Sequence, residues 1–169
     1  MGTIERFRQE KDQFFKNDLN SPLTETQKLT FSNLEYFPEN SELRMELTLE
    51  LKEPPERVSL ITSTGDRRDY LRQGQIRFQV EGEEAVLQVY SDGYGSYFLP
   101  FVDKTAPQET YGAGRYLEPE EVSPGVLMVD FNLAYNPYCA YNPRWSCPIP
   151  PFENRLRVRI DAGEKKFHR

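Results

Sequence analysis

The chain is poor in the residues that carry most familiar chemistry. It has two cysteines and a single histidine, His168, in 169 residues. Two cysteines cannot staple a small disulfide scaffold, and ten glycines without a period exclude a collagen-like chain. One histidine removes Ser-His-Asp triads, His-rich metal sites and histidine general bases. No apolar run approaches the ~18 residues of a membrane helix, so no membrane partner is expected. A Gly-x-x-x-x-Gly-Lys phosphate loop is absent. Gly93-Tyr94-Gly95 and Gly112-Ala113-Gly114 lack the strand-turn-helix setting of a dinucleotide fingerprint. No βαβ rhythm runs through the chain, which argues against a doubly wound nucleotide fold.

What is present is a body rich in rings. Aromatics make up 13% and hydrophobic residues 37%, which excludes a disordered chain. A chain of this length buries roughly 70% of its unfolded surface, so a single domain over 1–169 is expected. The net charge is −6, unevenly spread: residues 155–169 carry +4 and the preceding residues −10. An acidic body is a poor nucleic-acid binder, because phosphate neutralisation supplies most of that affinity, so no nucleic-acid partner is expected. Arg155, Arg157 and Arg159 alternate with Leu156, Val158 and Ile160, as on the wet face of a strand. Met1–Arg8 is not followed by the apolar stretch of a secretory leader. Arg6 stands where a myristoylation motif wants Ser or Thr. The expected location is the cytoplasm.

Ile4, Phe7, Phe14, Phe15 and Leu19 follow a helical period, so residues 4–19 read as a helix lying on the body, stopped by Asn20-Ser21-Pro22. Thr24 and Gln27 have capping-box spacing and predict a short helical turn. From Leu43 to Leu51 the period is two, and the reading is one strand ended by Pro54-Pro55. Further strands are expected at 58–62, 76–80, 85–90, 97–102, 114–117, 126–132 and 156–160, with a hairpin turn at Glu81-Gly82-Glu83-Glu84. The fold class is mainly β: a single antiparallel β-barrel or sandwich with an N-terminal α-helix packed outside. Residues 1–36 form the helical segment and 37–169 the β body, which includes a Pro-rich loop at 134–151.

That loop is the distinctive region. Five of the 13 prolines fall in 137–151, and Ala-Tyr-Asn-Pro occurs at 134–137 and again at 140–143. Asn before Pro starts a turn, its side chain bonding nearby backbone. Two such turns predict a stiff loop that presents Tyr135, Tyr138, Tyr141 and Trp145. Those rings either stack on a flat ligand or cap the end of the sandwich. Three blocks surround it: Glu109-Thr110-Tyr111-Gly112-Ala113-Gly114-Arg115-Tyr116-Leu117, then Asp130-Phe131-Asn132 through Tyr135-Asn136-Pro137-Tyr138-Cys139-Ala140, then Cys147-Pro148-Ile149-Pro150-Pro151-Phe152-Glu153-Asn154-Arg155-Leu156. Ala162-Gly163-Glu164-Lys165 closes the pattern. Over roughly 97–166 the chain resembles the bacterial family known as domain of unknown function 1684, and its N-terminal part resembles that family's short members. The resemblance implies a bacterial source. It brings no activity and labels no residue catalytic.

The chemistry therefore has to come from the residues. A carboxylate at the end of a buried strand needs a partner, and Asp130 stands at such an end. Arg115, after Gly112-Ala113-Gly114, is the attractive partner, with Glu109 and Glu153 as other carboxylates near it in the pattern. One reading is a polar pocket in which Arg115 binds a carboxylate or phosphate, helped by Tyr111, Tyr116, Asn132, Tyr135, Asn136, Tyr141 and Asn154. The other is an Arg115 network that only pins the loop. Whether the protein is an enzyme stays open. If it is, Asp130 with Glu153 or Glu109 would serve as the acid–base pair of a hydrolase or isomerase. A third reading makes the Pro-rich loop a self-association module.

Cys139 and Cys147 fit three roles poorly. A disulfide would contribute about 2.5 kcal/mol but is disfavoured in a cytosol. Zinc would need two further good ligands, so no metal is expected. A nucleophile would need a histidine nearby. Two buried, reduced packing cysteines are the expectation. No cofactor is expected, and the partner to which the residues point is a small molecule with an anionic or polar group.

Overall fold

The computed structural model describes residues 2–168. Its body is two facing antiparallel sheets that do not close into a barrel, so of the two expected all-β forms it is the sandwich. Strands β1 (Arg44–Thr48), β7 (Glu120–Ser123) and β8 (Val126–Asp130) form a three-stranded sheet in the order β1-β8-β7. Strands β2 (Glu50–Ile61), β3 (Arg67–Val80), β4 (Glu83–Ser91), β5 (Tyr97–Phe101) and β6 (Arg115–Leu117) form a five-stranded meander in chain order. Ile76, Leu87, Val89, Leu99 and Phe101 from the larger sheet meet Leu127 and Val129 from the smaller and Phe131 of the 3-10 turn after β8, all fully buried. Each large side chain there stabilises the fold by about 1.5–3 kcal/mol.

The alternation from Leu43 to Leu51 does not form one strand. Leu43 closes a 3-10 turn, β1 pairs with β8, and the chain crosses at Leu49 to the other sheet. The crossing turns the pattern over, and Leu51 is left 59% exposed. Pro54-Pro55 does not end a strand either. β2 runs through both prolines, with the register jumping from Leu51↔Gly74 to Glu56↔Arg72. It can do so because β2 is an edge strand, so the missing N–H groups cost no ladder partner. The hairpin at 81–84 forms where expected, joining β3 to β4.

Residues 156–160 do not form a strand, and the chain bends at Arg157 and Val158. Leu156 donates to the Val102 carbonyl at 2.7 Å and Lys104 to the Val158 carbonyl at 3.0 Å. The Ile160 amide goes instead to the Asp103 carboxylate at 2.7 Å. Val158 and Ile160 are buried while the three arginines are exposed, so the in–out alternation is right even though the ladder is missing.

Helix α1 (Thr3–Asn17) and helix α2 (Glu25–Thr30) lie outside the sandwich and make a second, smaller core. Phe15, Leu23, Phe31 and Leu34 pack there against Tyr141 from the Pro-rich loop. The capping box of α2 is complete: Gln27 N–H donates to Thr24 Oγ1 at 3.1 Å, and Thr24 N–H donates to Gln27 Oε1 at 2.8 Å. Among the described residues, no helix is long and apolar enough to cross a membrane.

Candidate functional site

The sandwich, α1 and the Pro-rich loop enclose an open cleft of about 710 Å³. One wall is a single face of α1, where Phe7, Glu10, Lys11 and Phe14 follow at one-turn spacing. The rest of the lining includes Tyr116 of β6, Tyr135, Tyr138 and Trp145 of the loop, and Arg68 at the start of β3.

Local bonding fixes these rings. Tyr116 and Tyr135 exchange backbone hydrogen bonds of 2.8 and 3.0 Å, and their rings meet edge to face at 5.8 Å. The Tyr116 hydroxyl donates to the Pro148 carbonyl, and the Tyr135 hydroxyl to Glu118. Tyr138 and Trp145 form a second edge-to-face pair at 5.3 Å. The Lys11 ammonium lies 5.1 Å from the centre of the Tyr135 ring and pairs with the buried Glu164. Arg68 donates to the Ser146 carbonyl at 2.6 Å. Burial raises the phenol pKa of Tyr116, Tyr135 and Tyr138, so all three stay neutral, and the first two donate through their hydroxyls.

The Asn side chains of the two Asn-Pro turns do not bond nearby backbone. Asn136 Nδ2 reaches the Lys165 carbonyl at 3.0 Å, and Asn142 Nδ2 reaches the Pro22 carbonyl. The repeat thus ties the loop to the C-terminal tail at one turn and to the helical segment at the other. Tyr141, read from sequence with the ligand-facing rings, is 1% exposed in the small core and donates to Glu164 Oε1 at 2.7 Å.

Arg115 lies away from the cleft wall. Its side chain is 1% exposed and sits 3.2 Å from Asp103 Oδ1. It also donates to the carbonyls of Ile160 (3.1 Å), Ala162 and Glu164 (3.1 Å). Burial lowers the guanidinium pKa, and Asp103 opposes that shift. Gly114 makes this possible: its φ is +102°, and a Cβ there would stand 2.4 Å from the Phe101 carbonyl oxygen.

Asn132 and Asn154 work as spare peptide groups. Asn132 bonds both the N–H and the carbonyl of Asn40, at 2.8 and 2.9 Å. Asn154 does the same to Gln88, at 2.8 and 3.0 Å, and reaches the Pro100 carbonyl at 2.7 Å. Tyr111 stands beside Cys139.

The three carboxylates face three different partners. Asp130 accepts from Asn132 and lies 3.7 Å from Arg44, its cross-strand neighbour. Glu109 pairs with Arg159 at 2.6 Å. Glu153 is exposed and helps burial push Tyr90 up to about 12. None of the three lines the cleft.

Of the residues singled out from sequence, the cleft therefore collects Tyr116 and Tyr135, together with Tyr138 and Trp145. The α1 face, Arg68, Asp103 and Glu164 were missed. The one legible signal was the one-turn spacing of residues 7, 10, 11 and 14.

A family model described as a protein of unknown function, DUF1684, matches residues 29–165. No curated protein matches the chain. Among solved structures it is similar to an uncharacterized protein from Haloarcula marismortui, determined in solution by NMR, at TM-score 0.73 and 37% identity. That match covers 96% of this chain and 91% of the other. The neighbour is archaeal, so proteins of this kind are not confined to bacteria.

Proposed function

The chain belongs to the DUF1684 family of proteins of unknown function, and from the geometry we propose that it binds a flat, largely apolar small molecule carrying one anionic or strongly polar group. The observation that carries this reading is the cleft itself. Its volume of about 710 Å³ falls within the ~300–1,000 Å³ of small-molecule sites. Rings line both walls, and they are held by backbone and hydroxyl bonds, so little ordering entropy is lost when a ligand enters. Arg68 offers a planar, always-charged group in the cleft lining, suited to a carboxylate, sulfonate or phosphate.

The test is a fluorescence titration with 8-anilinonaphthalene-1-sulfonate, an apolar aromatic anion. Trp145 is the only tryptophan and lines the cleft, so bound dye quenches it by energy transfer. The expected result is saturable single-site binding with Kd on the order of micromolar, weakened about 5–10-fold in Arg68→Gln through loss of one charge-assisted bond. Transfer that does not saturate, or the same Kd in Arg68→Gln, would refute the reading.

A further inference from the structure

Cys139 and Cys147 are free thiols, and neither belongs to the two hydrophobic cores. The expectation of two buried packing cysteines gives way: both are half-buried, and Cys147 forms part of the cleft wall. The Pro-rich loop folds them onto each other. The Cys139 N–H donates to Cys147 Sγ at 3.4 Å, and the Tyr111 hydroxyl lies 3.6 Å from Cys139 Sγ. The Cys147 N–H is anchored on Ser63 Oγ at 3.1 Å. A sulfur held that close to the other cysteine's backbone lies within reach of its side-chain arm, as a disulfide requires.

We propose that Cys139 and Cys147 form a reactive dithiol that reduces a hydroperoxide and closes to a disulfide. The two sulfurs are not equivalent. The neighbouring Cys147 sulfur and the Tyr111 hydroxyl, 3.6 Å from Cys139 Sγ, outweigh burial and lower the Cys139 thiol below the free-cysteine range. The same contact, with burial, pushes the Cys147 thiol up. The Tyr111 hydroxyl stands where it can donate to a Cys139 thiolate, which makes Cys139 the nucleophile and Cys147 the resolving thiol. The Cys139 thiolate attacks one peroxide oxygen and the O–O bond breaks. The other oxygen leaves with the electron pair and takes a proton from water to become alcohol or water. Cys139 is now a sulfenic acid, oxidised by two electrons as the peroxide is reduced by two. Cys147 then attacks the Cys139 sulfur: the S–S bond forms, the S–O bond breaks, and hydroxide leaves as water with the Cys147 proton.

The experiment treats the whole chain with hydrogen peroxide at pH 6, blocks residual thiols with N-ethylmaleimide, and maps peptides by denaturing mass spectrometry. The Cys139 thiol lies below the free-cysteine range, so a larger share of it is ionised at that pH and its oxidation is expected to outpace that of a free cysteine peptide. The expected product has lost about 2 Da and joins the Cys139 and Cys147 peptides. Cys147→Ser should accumulate a dimedone-reactive sulfenic acid at Cys139, and Cys139→Ser should oxidise at least ~10-fold more slowly than the parent. Limiting iodoacetamide on the unmutated protein decides the nucleophile even if a variant misfolds. Label at Cys139 supports the assignment. Label first at Cys147, or oxidation of Cys139 without the cross-link, overturns it.

Discussion

Arg115→Ala is expected to lower the free energy of unfolding by about 3–5 kcal/mol, enough to leave a marginal domain largely unfolded. Substitution there removes the positive partner of Asp103, whose side chain is 2% exposed. It also strips the donor from the carbonyls of Ile160, Ala162 and Glu164. Asp103 is itself committed to the Thr105 hydroxyl and the Ile160 amide, so it cannot turn to water. Arg115→Met fills the volume yet still orphans three carbonyls, so it should recover little. The pair thus holds residues 158–164 against β5 and β6 where no strand ladder does so. Equilibrium denaturation checks this directly. An alanine variant within ~1 kcal/mol of the parent would mean that Arg115 is not structural.

Glu164→Ala comes next in expected size, at about 3 kcal/mol. This carboxylate is buried at 1% exposure. It accepts from the Tyr141 hydroxyl at 2.7 Å and the Asn136 N–H at 3.2 Å, and it pairs with Lys11 of α1. Removing it strands a phenol inside the small core and releases the only ion pair shown between α1 and the C-terminal tail among the described residues. Since α1 is one wall of the cleft, anilinonaphthalene sulfonate binding should weaken more than tenfold in the same variant. Glu164→Gln keeps an acceptor for Tyr141 and should cost about half as much. Normal stability together with normal dye binding in Glu164→Ala would show that α1 is held by its rings alone.

Local signals in the sequence carried well. The Thr24/Gln27 capping box, the 81–84 hairpin and the helical face of α1 depend on neighbours a few residues apart. Where the sequence misled, a distant partner had changed the meaning of a local pattern. The Leu43–Leu51 alternation conceals a crossing between sheets, because both sheets bury the same core. Pro54-Pro55 is tolerated only because β2 has no neighbour on its outer side. Asp130 stood out as a carboxylate in need of a partner and Arg115 as the candidate, but Arg115 pairs with Asp103 and Asp130 with Arg44. The loop aromatics were legible as a group. Their opposing wall was not, since Phe7 and Phe14 lie more than a hundred residues away in sequence and meet them through the small core and the Glu164 tie.

The central claim is that the working surface is the aromatic cleft and that the Arg115 network is scaffold. The most direct measurement is two-dimensional NMR shift mapping with 2-naphthoate, a flat apolar carboxylate. The account predicts saturable shifts at the Trp145 indole N–H and at the ring signals of Phe7, Phe14, Tyr135 and Tyr138, with Arg115 and Ile160 unmoved. Shifts centred on Arg115, or none that saturate, would contradict it.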